Sequence, residues 1–108
     1  MKDEAVYLHH ILDAIGWIET YVAGLRREAF FQEQMIQDAV VRQLEIIGEA
    51  SRRLSDDFRD RHSNIPWRAM IGMRNRIAHD YLNIDLQVVW EVVRQDLPLL
   101  KDQISGLV

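Results

Sequence analysis

A chain of 108 residues, 48% of them apolar and with a formal net charge of −4, has room for one domain around a single core but not for a separate substrate domain. The absence of cysteine excludes disulfides, thiolate zinc sites and cysteine nucleophiles together. No apolar run approaches the roughly 18 residues of a membrane span, and the acidic start Met1-Lys2-Asp3-Glu4 is unlike a secretory signal, so a soluble cytoplasmic protein is expected.

Leu8, Ile11, Leu12, Ile15, Ile18, Val22 and Leu25 recur at three- and four-residue steps, which predicts an amphipathic helix over about residues 3–26. A second helix is expected from near Phe30, with a stripe of Ile36, Val40, Leu44, Ile47, Ser51 and Leu54. Gly48 beside that stripe would let a neighbouring helix approach closely. The two helices should form an antiparallel hairpin. Arg42, Glu45, Glu49, Arg52 and Arg53 flank the second stripe and read as a solvated face, where each local ion pair contributes only about 0.2–0.5 kcal/mol.

Residues 55–65 lack periodicity and read as a connector. Pro66 suits a first helical position, so a third helix is expected to start there, run through Trp67, Met70 and Met73, and continue toward Tyr81. Asn83 helps end it, and Asp85 is an N-cap candidate for a last helix carrying Leu86, Val89, Val93, Leu97, Leu100 and Ile104. Pro98 should bend or interrupt that helix. The fold class is therefore all-α, a four- to five-helix antiparallel bundle forming one domain over residues 1–108.

Charge is distributed unevenly along this bundle. Residues 40–80 hold eight basic against six acidic residues, whereas both flanking segments are net acidic. A polyanion would be drawn to the middle, with modest and salt-sensitive affinity.

That middle contains Arg74-Asn75-Arg76-Ile77-Ala78-His79-Asp80-Tyr81, which brings a guanidinium, a carboxamide, an imidazole and a phenol into one short stretch. On a continuous helix Asn75 lies one turn before His79, and Arg74 aligns with Tyr81. Arg74 and His79 would sit about 140° apart around the axis, since each residue turns about 100°. Two copies of the helix facing each other across a two-fold axis would bring both histidines and both arginines into one cleft. Such a cleft suits metal-independent RNA cleavage. One His79 takes the proton of the ribose 2′-hydroxyl, the other protonates the leaving 5′-oxygen, and Arg74 forks onto the phosphate. The products would be a 2′,3′-cyclic phosphate and a 5′-hydroxyl.

Arg-x-x-x-x-His-x-Tyr with Asn after the Arg resembles the signature of HEPN-domain ribonucleases, in particular the HepT-like toxins. Leu44-Glu45-Ile46-Ile47-Gly48-Glu49-Ala50, Ile65-Pro66-Trp67-Arg68 and Tyr81-Leu82-Asn83-Ile84-Asp85 look like the corresponding family segments, so the likeness covers most of the chain. The resemblance implies a HEPN-like bundle and an endoribonuclease toxin. The toxin would act as a homodimer and be encoded beside a minimal nucleotidyltransferase antitoxin, with larger hetero-oligomers also compatible. Arg74, Asn75 and His79 would match the catalytic motif, and Tyr81 the tyrosine that receives AMP from the antitoxin. A phosphodiester charge there would repel and occlude the RNA phosphate.

Glu49 has two readings, orienting Arg74 from the neighbouring helix or pairing with Arg52 or Arg53 on its own. Arg76 adds background positive charge and is a possible supporting residue. His9, His10 and His62 read as solvated or structural. No His-x-x-x-His or Glu-x-x-His pair suggests a metal site, and the scattered glycines form no phosphate loop, so neither metal nor cofactor is expected. The competing reading is a non-catalytic helical module that docks a nucleotidyltransferase or binds nucleotide, and an inaccessible His79 would favour it.

Overall fold

The computed structural model describes residues 4–78 and 83–108. Four helical segments run alternately up and down around a single apolar core. The first, α1, spans Glu4–Val22 and buries Leu8, Ile11, Ile15, Ile18 and Val22. It stops short of the expected residue 26 because Gly24 adopts φ 73°, a left-handed conformation open to glycine, and turns the chain.

A single helical turn, α2 (Arg27–Phe30), follows. Phe30 is not the start of the second long helix. It is fully buried, with its ring 5.1 Å from that of Trp90, and so pins the connection onto the last helical segment. The second long helix, α3, spans Gln34–Arg53 and buries Val40, Leu44, Ile47 and Ser51 from the expected stripe, with Ile36 half-buried. Ser51 is tolerated in the core because its hydroxyl donates to the Ile47 carbonyl at 2.7 Å. The hairpin is antiparallel, since the Ser55 amide just past α3 donates to the Glu4 carboxylate at the start of α1, at 3.2 Å.

The expected connector contains a short helix, α4 (Asp56–Arg61). Ser55 caps it by accepting from the Phe58 amide at 3.1 Å, and Asp56 and Asp57 occupy its positive first turn. The third segment is split. Trp67–Ile71 forms α5 and Met73–Ile77 forms α6, with Gly72 at φ −85°, ψ 9° between them. This segment packs on α3 where Gly48 faces the Met70 carbonyl. A Cβ at Gly48 would come within 2.8 Å of that oxygen.

The last segment begins at α7 (Leu86–Glu91), where the Asp85 side chain accepts from the Val88 amide at 3.2 Å, the expected cap. A π turn, Val92–Asp96, then leads into α8 (Leu97–Ser105), with Pro98 in its first turn. Proline can neither donate an amide hydrogen nor tolerate the carbonyl one turn back, and a locally widened turn accommodates both defects. Lys101 on α8 contacts Glu19 of α1 at 3.1 Å and closes the bundle. Burial of each core side chain such as Ile11, Leu44 or Ile104 contributes about 1.5–3 kcal/mol. No helix among the described residues is long and apolar enough to cross a membrane.

Candidate active site

The sequence motif straddles a helix end. Arg74, Asn75 and Arg76 lie on α6, which stops at Ile77. Ala78 is extended (φ −114°, ψ 122°) and forms an isolated antiparallel bridge with Ile84. The Asp85 amide donates to the Ile77 carbonyl at 2.6 Å, so the C-terminal end of α6 is satisfied by returning backbone rather than by another helical turn. The expected continuous helix through Tyr81 is thereby corrected. The 140° separation and the one-turn alignment of Asn75 with His79 no longer apply, because both assumed that helix. His79 and Tyr81 themselves lie outside the described residues.

Arg74 projects from α6 toward α3, where its Nη1 donates to the Glu45 carboxylate. The guanidinium remains 64% exposed and Glu45 33% exposed. An exposed pair of this kind contributes at most about 1 kcal/mol to stability, but it limits the orientations open to a long side chain. The other guanidinium nitrogens keep their donor capacity for an anion. Asn75 is exposed beside it.

Glu49 bonds Arg52 at 2.9 Å and Arg53 at 3.3 Å on its own helix. The carboxylate that meets Arg74 is Glu45, one turn earlier. Both glutamates sit on the same flank at helical spacing, so periodicity could not distinguish them. Arg76 points to the other side of α6 and pairs with Asp96 at 3.0 Å, joining α6 to the π turn. It is not brought together with Arg74.

A groove of about 510 Å³ crosses the outer face of α3 beside this site. Arg74 and Met73 lie on one wall, Tyr7 and His10 of α1 on the other, and Arg42, Glu45, Glu49, Arg52 and Arg53 along the floor. Arg42, Arg52, Arg53 and Arg74 outnumber the two glutamates, so this face attracts anions although the chain as a whole is acidic. Among the described residues no group of three or more acidic, histidine or cysteine side chains could hold a metal ion.

The family described as Ribonuclease HepT-like matches residues 11–107. A Methanocaldococcus jannaschii protein named as a gamma-glutamylcyclotransferase and candidate RNase is 43% identical over 103 residues, which is 95% of this chain. The chain spans only 46% of that relative's length. A candidate RNase of Caldanaerobacter subterraneus is 36% identical over 107 residues, covering 99% of this chain and 96% of its own. A probable ribonuclease HepT of Thermococcus cleftensis is 42% identical over 101 residues, covering 94% of this chain and 92% of its own. No solved structure matches the chain.

Proposed function

The chain belongs to the HepT-like ribonuclease family, and we propose that it is a metal-independent endoribonuclease, the toxin of a toxin–antitoxin pair. The observation that carries this reading is the exposed Arg74 guanidinium, tethered by Glu45 at the rim of a basic groove and five residues before His79. An arginine so placed can fork onto a phosphate while retaining its carboxylate anchor.

One His79 per chain supplies a single proton-transfer group, so cleavage by 2′-hydroxyl attack draws on two chains paired about a two-fold axis. One imidazole removes the 2′-hydroxyl proton as that oxygen attacks phosphorus. The other protonates the departing 5′-oxygen, and two Arg74 side chains stabilise the phosphorane charge. Asn75 orients the phosphate or the imidazole. Transfer of AMP to Tyr81, seven residues after Arg74 in the motif, by a partner nucleotidyltransferase would add negative charge and bulk that repel and occlude the RNA phosphate and so switch the site off.

The test is cleavage of end-labelled RNA in EDTA by wild type and His79→Ala, with the cut ends analysed. Wild type should yield 2′,3′-cyclic phosphate ends, and His79→Ala should lose at least about 100-fold in rate, the lower range for loss of an acid–base group. Equal rates, or efficient cutting of fully 2′-O-methylated RNA, would remove this mechanism.

A further inference from the structure

The groove on α3 extends well beyond the reach of Arg74. Arg42 and Arg53 are eleven positions apart on one helix, about 16 Å along its axis at about 1.5 Å per residue. The arginines lining the groove differ in state. Arg52 and Arg53 share Glu49, and Arg74 is tied to Glu45. Arg42 lines the same groove, is exposed, and has no carboxylate partner among the described residues. Across from this floor Tyr7 and His10 meet edge to face with centroids 6.1 Å apart. Cationic floor plus aromatic wall is the pairing by which single-stranded nucleic acid is gripped, the cations tracking phosphates and the rings offering a face to a base.

We propose that the part of this groove beyond Arg74 is a substrate subsite for single-stranded RNA, in which Arg42 binds a phosphate flanking the scissile one and so positions the strand toward Arg74. The inference rests on the ribonuclease reading for its substrate class, but its evidence is the unpaired cation and the groove's shape. Glu45 and Glu49 keep the other arginines directed along the floor and lower the net charge, so the grip is weak and reversible enough for turnover. Arg42 is a positioning residue rather than a catalytic one.

The experiment measures binding of a fluorescein-labelled, fully 2′-O-methylated single-stranded oligonucleotide by anisotropy across a salt series. Wild type, Arg42→Gln and Arg26→Gln are compared, the last being an exposed arginine outside the groove. Arg42→Gln should bind several-fold more weakly with a log–log salt slope smaller by about 0.7, the contribution of one single-strand phosphate contact. On cleavable RNA it should raise KM and leave kcat unchanged. Arg26→Gln should match wild type. Circular dichroism and light scattering accompany each protein. An affinity and slope unchanged in Arg42→Gln would overturn the proposal. So would a loss of oligomeric mass in that variant, which would make the groove the seat of a second copy. A wild type that binds and discriminates as described yet never cleaves RNA would refute the catalytic reading and uphold this one.

Discussion

Replacing Gly48 by alanine should destabilise the protein, against the ordinary rule for helices. In the interior of an exposed helix the change gains about 1 kcal/mol, because alanine loses less backbone freedom on folding. Here the added Cβ would lie 2.8 Å from the Met70 carbonyl oxygen. Backbone of a packed helix cannot swing aside as the end of a flexible side chain can. Relief therefore requires α3 and α5 to separate by several tenths of an ångström along the contact. Overpacking of this kind costs about 1–3 kcal/mol, and more when backbone must move. The net expectation is a loss of up to about 2 kcal/mol after the propensity gain, or up to about 8–16 °C in Tm for a domain of this size. Gly16→Ala is the matched control. It lies within α1, where a Cβ would meet nothing within 4 Å. That variant should gain up to about 1 kcal/mol. Urea unfolding and thermal melts followed by far-ultraviolet circular dichroism measure both. A Gly48→Ala protein as stable as Gly16→Ala would refute the close approach of α3 to α5.

Three further variants probe the cap of α4 and the Arg74 pair. Ser55→Ala removes the hydroxyl that accepts from the Phe58 amide, and should cost about 1 kcal/mol in urea unfolding, with earlier hydrogen exchange at the start of α4. Glu45→Gln should shift stability by less than about 1 kcal/mol, because the Arg74 pair is exposed. If Glu45 holds Arg74 toward the phosphate, the same variant lowers kcat for RNA cleavage. Arg74→Lys, which keeps charge but loses the planar fork, should lose about 100-fold or more. A Glu45→Gln enzyme with unaltered kcat would show that the pair has no part in positioning.

The apolar stripes of α1, α3 and the final segment were legible in the sequence, because side chains three and four residues apart share a helix face regardless of the rest of the fold. The Asp85 cap and the close approach at Gly48 were legible for similar reasons, the first from a short polar side chain before an apolar run and the second from a missing Cβ beside a stripe. Ser55-Asp56-Asp57 carried the signal for α4 as well. Periodicity could not reveal that helix, because a turn and a half is too short to repeat.

The site was less fully specified. Arg74, Asn75 and Arg76 could be singled out as candidates by residue type and spacing, but not the point at which their helix ends. Nothing between Arg74 and Ala78 breaks a helix by propensity. The end at Ile77 comes from pairing of Ala78 with Ile84 and from the Asp85 amide, contacts made by chain that returns from beyond the motif.

What the sequence by itself determined, then, is the set of faces: which residues turn inward, which stay wet, and which polar groups fall in one neighbourhood. Tertiary structure alone decided partnership. Glu45 rather than Glu49 meets Arg74, and Arg76 turns away to Asp96. Those choices depend on how far one helix is shifted along another, and that stagger is set where Gly48 lets the Met70 backbone approach. Local periodicity is blind to such a shift because it leaves every intrahelical spacing unchanged.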